Sequence, residues 1–230
     1  MATYAIILAG GTGTRLGGNE PKQFLPLGDK PVITWSLLAF ENHPLVDNII
    51  TVLPEPYHDR IENISREYAI SKYLHTVKGG DTRQQSSWNA IQSYPFDQED
   101  ILLFHDAARP FVNSDIITNC IIMTGKYGAA GVYVPAIDTI TEIREETVQR
   151  TLDRNFLHYT QTPQSFKYSV ITDAHMKSSK EGVTGATDDI SLVRDAGYRV
   201  YAVEGSYSNI KITTQHDYKM ARWLCGQLEL

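Results

Sequence analysis

The 230-residue chain is long enough for about one to one and a half domains, and for a full core without disulfide or metal staples. It is 42% hydrophobic and 21% charged with a mean hydropathy of -0.28, a soluble globular composition. Its formal charge of -6 argues against a general nucleic-acid binder, while leaving room for a local basic pocket that takes one small anion.

Tyr4 to Ala9 is a continuous apolar run stopped by Gly10-Gly11, as in a strand buried on both faces. A glycine-rich loop follows, then a helix over Val32 to Phe40 with Ile33, Leu37 and Phe40 on one face. Asn48 to Leu53 is a second strand, Tyr57 to Ile70 an amphipathic helix and Tyr73 to Val77 a third strand. Gly79-Gly80-Asp81 turns into a helix over Arg83 to Ile91. Ile101 to Phe104 is the next strand, and Ser114 to Tyr127 a helix with Ser114 as its expected N-cap.

This alternation predicts an α/β fold, a Rossmann-like and mostly parallel sheet flanked by helices, with right-handed crossovers. The pattern then changes. Val132 to Thr141 and Thr147 to Leu152 read as extended segments around Glu142 to Glu146, which predicts a hairpin. A lone hairpin is not stable in water, so this one should lie on the main body or on a second subunit. Helices near Tyr168–Ser178 and Asp188–Ala196 come next, then a strand at Arg199–Val203 and a last helix from about Tyr218 to Leu228. In that helix Ala221, Leu224, Cys225 and Leu228 share a face. The expectation is a single domain over 1-230, with an arm at about 136-158.

Cys120 and Cys225 sit far apart in apolar helical patterns, which predicts buried free thiols rather than a disulfide or zinc site. No apolar run approaches the ~20 residues of a membrane helix, and the start has no basic stretch ahead of its apolar run. The expected compartment is the cytoplasm, with neither membrane nor nucleic acid as partner.

Gly10-Gly11-Thr12-Gly13-Thr14-Arg15-Leu16-Gly17-Gly18 follows the first strand, at the end of the sheet where doubly wound folds bind ligands. A dinucleotide fingerprint fails because Leu16 stands where the third glycine belongs, and a Walker loop fails for want of its lysine. What remains is a loop of free amides with Arg15 inside it and Pro21-Lys22-Gln23 beyond, a combination suited to a triphosphate. A merely tight turn with solvated Arg15 and Lys22 is the competing explanation.

Leu8 to Arg15 followed by Pro21-Lys22-Gln23-Phe24 resembles the sugar-nucleotide and alditol-phosphate nucleotidyltransferases. Further segments narrow the resemblance to the 2-C-methyl-D-erythritol 4-phosphate cytidylyltransferase family. They are Gly79-Gly80-Asp81 with Arg83 and Ser86, His105-Asp106-Ala107-Ala108-Arg109-Pro110, Asp153-Arg154, Gln161-Thr162-Pro163-Gln164, Thr187-Asp188-Asp189 and Asn209 to Thr213. The series runs from about residue 4 to 222 and keeps its order, which makes it specific.

The resemblance implies a CTP-dependent transfer of CMP to a polyol phosphate, with Mg²⁺ or another divalent cation. Arg15, Lys22 and Lys211 are the implied catalytic cations. Ala9, Gly10, Gly11, Gly13, Thr14, Asp81 and Ser86 would hold CTP, with Asp81 and Ser86 reading the cytosine; Ser86 as an ordinary helix residue is an equal alternative. Asp106, Arg109, Thr139, Arg154, Thr162 and Thr187 match the family's acceptor positions, Lys211 lies among them, and Asp106 also lies near the metal. His105 is expected to be structural. An Asp106 that merely caps its loop and an exposed Asp153–Arg154 ion pair are the plain alternatives. In the family, the counterpart of Arg154 reaches into the partner subunit's site, which implies a homodimer through the β-arm.

Two acceptors share these motifs, 2-C-methyl-D-erythritol 4-phosphate for isoprenoid synthesis and D-ribitol 5-phosphate for wall or capsule polymers. Thr187-Asp188-Asp189 and Ala108 before Arg109 resemble the first. His158 and Thr160 depart from it, where Trp and Ala are common. A nucleotide sensor without turnover is the alternative from another class.

Overall fold

The computed structural model describes residues 1–11 and 20–228, the Leu228 side chain apart. In chain order the strands and helices are β1 Thr3–Leu8, β2 Pro26–Leu27, β3 Lys30–Pro31, α1 Val32–Glu41, β4 Asn48–Leu53, α2 His58–Glu67, β5 Tyr73–Lys78, α3 Arg83–Ile91 and β6 Ile101–Asp106. The second half contains α4 Ser114–Tyr127, β7 Ala129–Pro135, β8 Thr141–Arg144, β9 Thr147–Thr151, β10 His158–Lys167, α5 Tyr168–Lys180, α6 Asp189–Asp195, β11 Tyr201–Glu204 and α7 Gln215–Leu228.

Seven strands form one sheet in the order β11-β7-β10-β6-β1-β4-β5. β10 runs antiparallel to both its neighbours, and the other pairings are parallel. β1 lies between β4 and β6, so the chain order reverses at β1, and the crevice beyond its carboxyl end is the place where such sheets bind ligands.

Side chains alternate across each strand, and both faces are covered. Ala5 and Ile7 join a core with Ile33, Leu37 and Phe40 of α1, Ile61 and Ile64 of α2, and Ile116, Ile117 and Cys120 of α4. Tyr4, Ile6 and Leu8 face Ala90 and Ile91 of α3, Ile171 of α5 and Val193 of α6. A third cluster of Leu27, Val32, Ile212, Ala221 and Cys225 seats α7 against the start of α1. Both cysteines are buried.

Several local expectations need correction. The N-cap of α4 is Asn113, whose side chain accepts from the Ile116 N–H at 2.9 Å; Ser114 is the first helical residue. α2 is shorter at both ends than Tyr57 to Ile70, because Glu55–Tyr57 forms a 3-10 turn and Ala69 takes a left-handed φ of 51°. The extended run from Val132 splits. Its first part belongs to β7 in the main sheet, and only Thr141–Arg144 pairs with Thr147–Thr151 in the hairpin. Glu142 and Arg144 therefore lie within a strand, and the turn is Glu145-Glu146, with φ of 48° and 63°. β9 is exposed throughout, as are Ile137, Ile143, Val148 and Phe156 around it.

β10 has no strand pattern in the sequence. Its residues are mostly polar, and Pro163 within it argues against a central position. The proline is accommodated because the register to β7 shifts between Gln161 and Gln164, so its missing N–H falls at an irregularity. Thr124 and Ser165 share a buried hydroxyl contact of 2.6 Å, which satisfies one of the polar groups that β10 carries inward.

Candidate active site

Two adjoining clefts open at the carboxyl ends of β1 and β6, where Leu8 and Asp106 pair in register. The first, about 290 Å³, is lined by Ala9, Gly10, Gly11, Lys22, Asp81, Arg83, Ser86, Asp106 and Lys211 among others. The second, about 250 Å³, is lined by Arg83, Asp106, Arg109, Thr160, Thr162, Thr187 and Lys211 among others. Arg83, Asp106 and Lys211 belong to both walls.

Each group is placed by identifiable packing. The 3-10 turn Lys22–Phe24 is held when the buried Gln23 side chain donates to the Ala9 carbonyl at 2.8 Å. That fixes Lys22, whose Nζ donates to the Ile212 carbonyl at 2.9 Å. Ile212 is fully buried, and its N–H donates to the Ala108 carbonyl at 2.8 Å. The neighbouring Lys211 is thereby presented to Asp106, with Nζ 2.7 Å from Oδ2.

The Gly79-Gly80-Asp81 turn leads into α3, capped by the Thr82 side chain accepting from the Gln85 N–H at 3.0 Å, worth about 1 kcal/mol. Gly80 has to be glycine, since a Cβ there would lie 2.2 Å from Gln85 Cγ. Ser86 Oγ accepts from the Gly80 N–H at 3.0 Å and donates to the Thr82 carbonyl at 2.9 Å. Ser86 thus shapes the turn that carries Asp81 while lining the first cleft itself.

Asp106 ends β6, and its N–H donates to Thr162 Oγ1 at 3.1 Å. Burial opposes its charge, but Lys211, Arg83 and Arg109 outweigh that and hold the carboxyl well below the usual carboxylate range. His105, beside it, is fully buried and pushed down to about 4, chiefly by burial. Its Nε2 lies 3.0 Å from the Arg109 carbonyl, which can only accept, so hydrogen-bond logic assigns the proton to Nε2. Nδ1 then accepts from Thr162 Oγ1 at 3.0 Å. His105 is a neutral structural link, as expected, and Thr162 orients the Asp106 backbone.

Arg109 donates to the Asn209 carbonyl at 2.8 Å and the Thr160 carbonyl at 3.3 Å. Its Nε is buried, has no hydrogen-bond partner among the described residues, and stands 3.8 Å from Asp106 Oδ2. The nearest acceptor to this buried donor is thus the Asp106 carboxylate, too far for a hydrogen bond but close enough for charge attraction. Lys22, Arg83, Arg109 and Lys211 together line the two clefts, against the carboxylates of Asp81, Asp106 and Asp188. The joined site suits anions that arrive with their own metal or leave with their charge rearranged.

Among the described residues, no group of three or more His, Cys, Asp or Glu side chains is placed to hold an ion. Magnesium on a polyphosphate needs only one or two carboxylates, and an ionised Asp106 at the shared wall meets that requirement.

Gly13, Thr14 and Arg15 lie outside the described residues. Ala9, Gly10, Gly11, Lys22, Asp81, Ser86, Asp106, Arg109, Thr162, Thr187 and Lys211 all line one cleft or the other. Thr139 and Arg154 line neither within one chain. Both are exposed on the arm, where Arg154 donates to the Ile137 carbonyl at 3.0 Å. Arg83, Gln161, Gln164 and Asp188 also line the clefts, though composition and spacing give them no role of their own. A signal was present for Arg83, one residue after the cap and one helical turn before Ser86.

The model of the family described as 2-C-methyl-D-erythritol 4-phosphate cytidylyltransferase matches residues 3–227. The cytidylyltransferase of that name from Syntrophotalea carbinolica is 39% identical over 96% of this chain and 95% of its own length. That from Clostridium novyi is 40% identical over 94% and 93%. Among solved structures, the 4-diphosphocytidyl-2C-methyl-D-erythritol synthase of Anaerococcus prevotii superposes with a TM-score of 0.83 at 28% identity, covering 100% of this chain and 99% of that one. The Francisella tularensis 2-C-methyl-D-erythritol 4-phosphate cytidylyltransferase gives 0.81 at 30%, covering 97% and 99%. With matching motifs, topology and cleft, the chain belongs to the 2-C-methyl-D-erythritol 4-phosphate cytidylyltransferase family, CTP-dependent nucleotidyltransferases.

Proposed function

We propose that this protein transfers CMP from CTP to 2-C-methyl-D-erythritol 4-phosphate, releasing pyrophosphate and giving 4-diphosphocytidyl-2-C-methyl-D-erythritol for isoprenoid synthesis. The observation that carries the reading is the wall of Arg83, Asp106 and Lys211 common to both clefts, where an acceptor phosphate meets the α-phosphate of a nucleotide.

CTP occupies the first cleft, its base toward Asp81 and Ser86 and its phosphates toward the glycine loop. The acceptor phosphate occupies the second, beside Arg109, Thr162 and Thr187. A phosphate monoester is mostly dianionic at pH 7, its second pKa being near 6, so no general base is needed. One of its oxygens forms a bond to the α-phosphorus, the bond from that phosphorus to the β-bridging oxygen breaks, and pyrophosphate leaves with the electron pair. Lys22, Lys211 and Arg15 balance the charge that moves toward the leaving group. A divalent cation, held by Asp106 and the phosphates, would supply Lewis-acid stabilisation of that charge.

The chain acts as one domain, with the arm at about 136-158 joining two copies in a homodimer. The exposed apolar side chains Ile137, Ile143, Val148 and Phe156 support that role, as does the placement of Thr139 and Arg154 outside their own chain's clefts. No helix among the described residues is long and apolar enough to cross a membrane, and the two buried thiols suit a reducing cytoplasm.

The test is pyrophosphate release with CTP and Mg²⁺, offering methylerythritol phosphate and ribitol phosphate in parallel. Turnover with the first is expected. Turnover with ribitol phosphate alone overturns the acceptor assignment and points to Thr160, which lines the second cleft, ahead of His158, which does not. Turnover with neither returns the choice to another phosphate or to a sensor.

A further inference from the structure

Asp189 is completely buried at the start of α6, and its surroundings are more elaborate than a helix terminus requires. The cap of α6 is Asp188, whose side chain accepts from the Ser191 N–H at 3.0 Å, so Asp189 is released from capping. Its Oδ2 instead accepts from Arg83 at 2.7 Å and from Ser87 Oγ at 3.1 Å. Its backbone N–H donates to Gln164 Oε1 at 3.0 Å. On the far side His175 Nε2 stands 3.4 Å from Asp189 Oδ1, and neither atom has a hydrogen-bond partner among the described residues. The His175 ring is itself fixed, stacked on Trp88 at 5.6 Å with an interplanar angle of 16°.

All of this bears on one guanidinium. A buried ion pair on its own adds little stability and is often replaceable by apolar residues. Arg83, however, keeps 21% of its side chain exposed and lines both clefts. It is one of the cations that hold Asp106 ionised. One edge of its guanidinium is tied to Asp189, and the N–H groups not used there or toward Gln164 have no partner among the described residues. A planar fork held rigidly from behind, with donors left over in front, is the arrangement that grips phosphate.

We propose that Arg83 is a further substrate-contacting cation, spanning the boundary of the two clefts to hold the acceptor phosphate against the nucleotide α-phosphate, and that Asp189 and His175 are its positioning residues. This rests on the activity proposed above. The contact strengthens as the two phosphates become one diphosphate, so its loss lowers kcat more than it raises either KM.

Six proteins test it: wild type, Arg83→Gln, Asp189→Asn, the double variant Arg83→Gln/Asp189→Asn, His175→Ala and His175→Gln. The neutral double pair can still hydrogen-bond, so it folds where a single change leaves a buried charge. Each is assayed for pyrophosphate release with CTP, Mg²⁺ and methylerythritol phosphate, and titrated by calorimetry with CDP, whose α-phosphate would meet Arg83. Arg83→Gln should lower kcat about 100-fold, with each KM changing less than fivefold, and should weaken CDP binding about tenfold. Asp189→Asn, which keeps the cation but loosens it, should lower kcat about tenfold. His175→Ala should lower kcat less than Asp189→Asn does, and His175→Gln, whose amide nitrogen takes the place of the imidazole Nε2 that faces Asp189, should restore part of that loss.

The double variant separates the readings. A purely structural ion pair predicts recovery of kcat in the double variant, whereas a phosphate-gripping Arg83 predicts the same loss as in Arg83→Gln alone. Recovery, or an Arg83→Gln enzyme within threefold of wild type in both readouts, overturns the proposal. A wild type inactive on this acceptor overturns the activity reading instead, and the CDP titrations then decide the role of Arg83 by themselves.

Discussion

Ile212→Ala is the sharpest probe of how the fold sets the site. The side chain is fully buried in the cluster that seats α7, with Leu27, Val32, Ala221 and Cys225 around it. Removing three carbons forfeits about 2.4 kcal/mol of transfer energy at ~0.8 kcal/mol per group, and the remaining cavity raises the total to about 3 kcal/mol. The same residue holds Lys22 through its carbonyl and places Lys211 against Asp106 through its position in the chain. Two cations therefore lose their anchor at once, and a shift of ~1 Å in such groups costs turnover about 100-fold. The assay pairs urea denaturation with pyrophosphate release, measured well below the unfolding midpoint. Ile61→Ala is the control, since Ile61 is equally buried but packs α2 against the sheet away from the clefts. Ile212→Ala should lose about 3 kcal/mol and most of its kcat, Ile61→Ala a similar stability and little kcat. Equal kcat in the two variants refutes the idea that burial of Ile212 positions the cations.

Lys22→Ala should abolish most turnover while the protein keeps its melting temperature within a few degrees; near-normal rates remove Lys22 from the mechanism. Arg154→Ala should raise the KM for the polyol phosphate about tenfold and leave the Kd for CTP unchanged, and a matching loss of CTP affinity counts against its cross-subunit role. Cys120, whose thiol burial pushes up to about 12, should resist iodoacetamide at pH 8 until urea unfolds the chain. Asp189 is held below its usual carboxylate value by Arg83 against the opposing effect of burial. It therefore contributes stability above its unfolded pKa of about 3.9, lost as pH falls through the lower native value. Denaturation midpoints across that acid range should fall more steeply for wild type than for Asp189→Asn; parallel curves refute the linkage.

Much of the molecule was legible in the linear order of residues. The short apolar run before Gly10 and the helical spacing of Ile33, Leu37 and Phe40 are local patterns, and burial on both faces of a parallel sheet produces them directly. The site motifs were legible for a related reason. Asp81, Asp106 and Lys211 each follow or flank an apolar segment, so a strand or turn that ends in the crevice carries its polar terminus there. Even the chemistry of a basic pocket in an acidic protein was readable, because Lys22 and Arg109 stand in short motifs of their own.

Other features had no local signature. β10 is polar and interrupted by Pro163, and it becomes a central strand only because Gln161, Thr162, Gln164 and Ser165 find partners on β6, α4 and the Asn209 segment. The hairpin boundary moved because β7 joins a sheet whose pairing depends on residues far away. The Arg83–Asp189 pair spans 106 residues, and the Lys22–Ile212 bond 190. By itself the sequence determined most of the strands and helices, β10 apart, and which residue types gather at their ends, since those follow from period and polarity over a few residues. Only the tertiary structure decided which charges meet, which buried polar groups are satisfied, and that two clefts share one wall. Those outcomes depend on contacts between distant segments, whose energies appear only when the sheet has brought them within a few ångströms.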